Sequence, residues 1–191
     1  MRRSGFTSLG YDEVILPSIW EQGPFIEKGG GELPTQMWSF EDKAGRPVCL
    51  IPEATALVQE MWDKGWSKSL PKPYRVFYVS RCFRYESPQA GRQREFTQLG
   101  VEILGGKGPE DRDECIRTML TLADSFGIDY AYKDGVKRGL GYYTEDGFEL
   151  ECPVLGAQKQ ICGGGRYPQG IGFAFGIERT LLARKMQIAA G

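Results

Sequence analysis

Seven short strand-like runs, three amphipathic helices between them and the absence of regular βαβ alternation predict an α+β domain, a mostly antiparallel sheet carrying helices on one face. The length of 191 residues fits one domain, 1–191, with enough material for a proper core. No internal repeat, low-complexity tract or Pro- or Ser-rich linker divides it.

In chain order, β-branched and aromatic runs predict strands at Glu13–Leu16, Val48–Ile51, Tyr74–Ser80, Phe96–Leu104, Arg138–Tyr143, Phe148–Cys152 and Ile171–Phe175. A first helix is predicted over Thr55–Lys64, where Leu57, Val58, Met61 and Trp62 recur at helical spacing before Gly65. The second, Asp111–Phe126, has Asp111, Asp113 and Glu114 at its positive end, a stripe of Ile116, Met119, Leu120, Ala123 and Phe126, and Gly127 as terminator. The third runs from about Ile177 to Met186.

Lys and Arg number 24 and Asp and Glu 25, so no global field recruits nucleic acid or anionic membrane. Histidine is absent, which excludes Ser-His-Asp and Cys-His relays and any His-ligated metal in this chain. No metal-ligand pattern is identified, and catalysis would rest on carboxylates, arginines, tyrosines or bound ions. The five cysteines, Cys49, Cys82, Cys115, Cys152 and Cys162, are odd in number and lack a C-x-x-C pair, so a reduced, cytoplasmic setting is the simplest expectation. No apolar run approaches the roughly 18 residues of a membrane span, and no secretory core follows Met1.

Charge is concentrated locally. Lys72, Arg75, Arg81, Arg84, Arg92 and Arg94 face only Glu86 in acidic count, a balance of plus five between Lys72 and Arg94. Such a run is ordinarily a solvated strand surface, but most of it is arginine, suited to bidentate phosphate or carboxylate contacts. Phe83–Glu86, the loop Ser87–Gly91 and Arg92–Phe96 read as two antiparallel strands joined by an arginine-bearing loop. In the return strand, period two puts Phe96, Gln98, Gly100 and Glu102 on one side and Thr97, Leu99, Val101 and Ile103 on the other. The first set would make a poor core and a good pocket floor, or else a half-solvated sheet face.

That arginine hairpin resembles motif 2 of the class II aminoacyl-tRNA synthetases, and Ala174-Phe175-Gly176-Ile177-Glu178-Arg179 resembles their motif 3. Pro52-Glu53-Ala54-Thr55-Ala56, Arg138-Gly139-Leu140-Gly141-Tyr142-Tyr143-Thr144 and Cys162-Gly163-Gly164-Gly165-Arg166-Tyr167 are similar to segments of the histidyl-tRNA synthetase family. Leu16-Pro17 stands where the motif 1 proline belongs, and the likeness covers about Gly10 to Arg184.

The resemblance implies a class II synthetase-like fold that uses ATP with Mg2+ to convert an amino acid, histidine by the family, to an aminoacyl-adenylate. In that chemistry a carboxylate attacks the α-phosphorus and needs positioning and charge neutralisation rather than a general base. Arg84 would hold the α-phosphate and the carboxylate, and Arg92 and Arg179 the outer phosphates. Glu86 would take the adenine amino group, Phe96 would stack on adenine, and Arg138 would stabilise charge at the α-phosphate. Glu53, Thr55 and Gln98 match positions for the α-amino group, Glu102 and Tyr143 match the imidazole readers, and Tyr167 matches a pocket wall. Gly163 to Gly165 would let backbone approach the substrate, or form a plain glycine turn.

The resemblance further implies a homodimer. The sequence departs from the family pattern at Gly141, usually aspartate, and at Ile51, usually arginine. Only 35 residues lie between Glu102 and Arg138, where the synthetases carry an insertion domain, and the chain ends soon after motif 3, where they continue into an anticodon-binding domain. Binding of tRNA is therefore expected to be weak. The alternatives are a non-catalytic histidine-sensing paralogue, whose sign would be erosion of the ATP arginines, and a ligase charging a non-tRNA acceptor.

Overall fold

The computed structural model describes residues 3–190. In chain order the elements are α1 (Arg3–Ser8), β1 (Asp12–Glu13), β2 (Ile19–Glu21), α2 (Gly23–Gly29), β3 (Trp38–Glu41), β4 (Pro47–Leu50), α3 (Thr55–Met61), the short α4 (Ser67–Ser69), β5 (Tyr74–Phe83), β6 (Glu95–Leu104), α5 (Pro109–Phe126), β7 (Ala131–Val136), β8 (Gly147–Glu151), β9 (Gln160–Tyr167), β10 (Gly170–Gly176) and α6 (Ile177–Ala190). A seven-stranded sheet runs in the order β1-β5-β6-β10-β9-β8-β7, and a second sheet runs β2-β4-β3. Every pairing is antiparallel except β1 with β5, which confirms the predicted α+β class.

The two faces of the large sheet differ because its side chains alternate. Leu99, Val101 and Ile103 of β6, Phe173 and Phe175 of β10, and Phe148 and Leu150 of β8 pack on Cys115, Met119, Leu122 and Ala123 of α5 and on Ala183 of α6. The opposite face is not bare, as a one-faced arrangement would have it. There Val76, Tyr78 and Leu104 meet Leu57 and Val58 of α3 and Cys49 of β4, with Phe25 and Ile51 beside them. Both predicted long helices hold: α5 ends at Gly127, whose φ of 62° is the left-handed conformation that glycine adopts without cost.

Four local expectations are corrected. Arg138–Tyr143 is a loop, and the strand before it is β7, whose mostly exposed Ala131–Val136 carries little apolar signal. Gly163–Gly165 is no turn but the middle of β9. Of the first predicted strand, Glu13–Leu16, only Glu13 lies in β1, where it pairs with β5 together with the preceding Asp12. The first helix changes at Trp62 into a π-helical turn, Trp62–Trp66, so it does not continue as α-helix to Lys64.

The glycines of β9 have a packing reason. A Cβ on Gly165 would press within 2.9 Å of the Tyr143 ring, and one on Gly164 would meet Phe148 and Phe173 at 2.7 Å. Small residues on the open face of β10 (Gly172, Ala174, Gly176) and β9 (Gly163, Gly165) alternate with core side chains and leave a trough over the sheet centre.

Candidate active site

The β5–β6 hairpin forms one wall of that trough. Beyond the strand ends the ladder continues from Arg84 N to the Arg94 carbonyl at 2.9 Å, and the tip closes by paired bonds between Gln89 and Arg92. Arg84 donates Nε to the Pro52 carbonyl at 2.9 Å and sits 5.3 Å over the Phe96 ring. Arg92 Nε meets Glu86 Oε2 at 2.5 Å.

The opposite wall is the Arg138–Tyr143 loop, anchored by Gly141 N to the Gly29 carbonyl at 2.9 Å. Arg138 lies in a slot between strands: Cβ atoms on Gly147 or Gly163 would both strike its side chain. Its Nη1 donates to Glu149 Oε2 at 3.1 Å, and its guanidinium lies 5.6 Å over the Tyr143 ring. Burial pushes the Tyr143 hydroxyl up, with Arg138 opposing. Gly141, one of the two departures, packs its backbone against Gly30, while Ile51, the other, is a fully buried core residue.

β10 running into α6 closes the end of the trough. Glu178 accepts the Thr97 backbone N–H with both oxygens, at 3.0 and 2.9 Å, which ties α6 to β6. Arg179 donates Nη1 to Gln158 Oε1 at 3.4 Å and Nη2 to the Gln158 carbonyl. Burial, with Arg92 nearby, pulls its guanidinium below the ordinary arginine range.

The floor is built of buried polar groups with named partners. Glu53 caps α3 by accepting the N–H groups of Thr55 at 3.0 Å and Ala56 at 2.7 Å, and receives the Tyr142 hydroxyl at 3.3 Å. Burial raises its carboxyl, while the helix N–H groups and Arg84 oppose the shift. Gln98 Oε1 accepts the Ala54 N–H at 2.9 Å and the Cys82 thiol at 3.2 Å. Glu102 receives three hydroxyls: Tyr167 at 2.7 Å, Thr55 at 2.8 Å and Tyr78 at 3.0 Å. Burial pushes its carboxyl up to about 7 despite those donors.

Ten of the residues singled out from the sequence, Glu53, Thr55, Arg84, Glu86, Arg92, Phe96, Gln98, Arg138, Tyr143 and Arg179, line one cavity of about 820 Å³. Glu102 and Tyr167 do not line it; both are buried beneath, behind Thr55 and Tyr78. Tyr142, Glu149, Gln158, Lys159 and Gln160 also line the cavity and were missed. Strand alternation around Glu149 and Glu151 could have found the carboxylates, whereas nothing in the sequence marks the loop before β9. Among the described residues no cluster of three or more carboxylates, cysteines or histidines could cage a metal.

An antiparallel sheet with an arginine-bearing hairpin and a strand-to-helix arginine closing over one cavity defines the catalytic-domain fold of class II aminoacyl-tRNA synthetases. The histidyl-tRNA synthetase family profile matches residues 3–134, and the chain belongs to that family. It is 28% identical to the histidine–tRNA ligase of Methanosarcina acetivorans, over 90% of this chain and 67% of that protein. To the histidine–tRNA ligase of Methanocorpusculum labreanum it is 37% identical over 133 residues, 70% of this chain and 32% of that one. The crystal structure of apo S. aureus histidyl-tRNA synthetase superposes with a TM-score of 0.75 and 27% identity, covering 95% of this chain and 63% of that chain. The chain thus spans at most about two thirds of the length of these relatives. The M. acetivorans alignment is 278 residues long, longer than this entire 191-residue chain, so that relative carries residues inside it that this chain lacks.

Proposed function

We propose that this chain activates histidine with ATP, forming histidyl-adenylate and releasing pyrophosphate. The observation that carries the reading is the convergence of Arg84, Arg92, Arg138 and Arg179 with the buried, helix-capping Glu53 on one cavity, in a member of the histidyl-tRNA synthetase family. A histidine-sensing paralogue would show erosion of these arginines, and they are all present.

The amino-acid carboxylate is already ionised at neutral pH, so its oxygen attacks the α-phosphorus directly while the bond to the β-phosphate oxygen breaks. Arg84 and Arg138 neutralise charge at that centre; Arg92 and Arg179 hold the outer phosphates. In the free chain Arg92 pairs with Glu86, Arg138 with Glu149 and Arg179 with Gln158. ATP takes over arginines that are already placed, with Arg138 also largely withdrawn from water. For Phe96 to stack on adenine the Arg84 guanidinium slides off its ring, and Glu86, released by Arg92, becomes the acceptor for the adenine amino group. Glu149 and Glu151 on the cavity wall would supply hard oxygen donors for the Mg2+ that accompanies ATP, which would add charge neutralisation at the phosphates.

Glu53, Thr55 and Gln98 take the α-amino group, and Tyr143 reads one imidazole nitrogen. Glu102 reads the other from beneath the floor, which requires Thr55 and Tyr78 to yield one of their bonds.

The final acceptor is tRNA, as the names of the relatives imply, and the assembly is a homodimer in a cytoplasmic setting. Support for the dimer comes from three exposed aliphatic side chains, Ile15 at 89% and Ile19 and Val79 at 50% each. Light scattering at micromolar concentration is expected to give twice the 21.4 kDa chain mass, and a monomer would defeat this part. Pyrophosphate exchange into ATP over all twenty amino acids tests the activity: histidine alone should support rapid exchange. Exchange driven by another amino acid would overturn the specificity.

A further inference from the structure

The segment 158–160 bridges two arginines that the motifs supply. At one end the carbonyl and side-chain amide of Gln158 accept the Arg179 guanidinium. At the other, the Gln160 amide and the Arg138 guanidinium meet over Gly163, where a Cβ would collide with both. Lys159 stands between them on the wall of the same cavity. Its Nζ lies 3.1 Å from Glu151 Oε2; the lysine is 46% exposed and the glutamate 13%. The pairing of β8 with β9 shifts register between Leu150 and Glu151, a bulge of the kind that re-aims side chains beside active sites.

A half-exposed ion pair contributes little stability, so holding the fold together is a poor account of Lys159. A compact ammonium on a flexible four-carbon stem is suited to exchanging one oxygen partner for another. We propose that Lys159 is a further phosphate-binding residue of this site. Its ammonium leaves Glu151 for the β- and γ-phosphates of ATP, on the Arg179 side, and remains with the departing pyrophosphate. This rests on the ATP reading above and deepens it.

Lys159→Met keeps most of the aliphatic stem and removes the charge. By calorimetry it should bind ATP and pyrophosphate about tenfold more weakly, equivalent to about 1.4 kcal/mol, with AMP affinity within about twofold of the parent chain. In exchange assays the KM values for ATP and pyrophosphate should rise while that for histidine stays put. Lys159→Arg should recover most of the loss. Unchanged ATP affinity in Lys159→Met would overturn the proposal by reducing Lys159 to a surface ion pair. Equal weakening of ATP and AMP would overturn it by making the loop merely structural. Failure of the parent chain to bind ATP would be seen first, before any variant, and would defeat the ATP reading itself.

Discussion

The contact between Gly172 and Glu102 gives the sharpest test of the site's architecture. Gly172 sits opposite Glu102 across the β10–β6 pairing, and a Cβ built on it would fall within the Glu102 carboxylate. Gly172→Ala is therefore a steric insertion into a buried polar network, because the Gly172 backbone is not in the left-handed region. The Glu102 side chain would have to swing away from Tyr167, Thr55 and Tyr78, its three hydroxyl donors. Hydrogen bonds contribute about 0.5 to 1.5 kcal/mol each to a neutral carboxyl and about 1.5 to 3 kcal/mol each to an ionised one, and overpacking costs about 1 to 3 kcal/mol. Partial relaxation leaves a destabilisation of about 4 kcal/mol, or roughly 8 to 16 °C in Tm for a domain of this size. Urea unfolding monitored by tryptophan fluorescence measures it. In a Glu102→Ala background the carboxylate is gone and only the Val101 carbonyl oxygen, 2.6 Å from the added methyl, still opposes it, so Gly172→Ala should then cost about 2 kcal/mol less than in the parent, a coupling of about that size. A Gly172→Ala chain within about 0.5 kcal/mol of the parent, or strict additivity with Glu102→Ala, would refute the packing described for the floor.

Two further outcomes follow from the same geometry. Arg138→Ala should lower the adenylation rate about 10²- to 10³-fold with little change in the ATP KM, since a fixed cation at the α-phosphate acts mainly on the transition state; Arg138→Lys should rescue only partly, as a point charge cannot reproduce the planar fork. The Glu102 carboxyl, pushed up to about 7 from 4.5 by burial, keeps its proton in the folded chain over a range where the unfolded chain has lost it. Its contribution to stability therefore falls as pH rises from about 4.5 to 7, by on the order of 3 kcal/mol, and is flat outside that window. Glu102→Gln should remove that decline, and a parallel pH profile for the two proteins in urea titrations would contradict the assignment.

Where periodicity and local chemistry agreed, the sequence was readable. Leu99, Val101 and Ile103 alternate with Gln98, Gly100 and Glu102 as expected, and the acidic start and glycine stop of α5 mark its ends. The arginine hairpin was readable for the same reason, because both its strands and its turn carry their usual residue types. Arg138–Tyr143 misled because its aromatic pair mimics a strand, yet Tyr142 is held by Glu53 and Tyr143 lies beside Arg138, so tertiary contacts settle its path. Of the two readings open for Gly163–Gly165, the turn fails: the run is mid-strand, and each glycine is small to admit a neighbour rather than to bend the chain. The retreat of Glu102 and Tyr167 beneath the floor was not legible. It depends on Tyr78, whose ring covers Gly100 from the neighbouring strand, and no spacing along one strand reports what crosses it from the next. The same holds for Gln158 and Lys159, which reach the cavity from a loop with no periodic pattern.

The adenylation step itself is the most direct measurement. With excess chain over α-labelled ATP in a single turnover, added histidine should convert the label to histidyl-adenylate, detected by thin-layer chromatography and mass spectrometry, with an equal amount of pyrophosphate released. No labelled adenylate under conditions where calorimetry shows both histidine and ATP bound would contradict the proposed activity and return the site to a binding role.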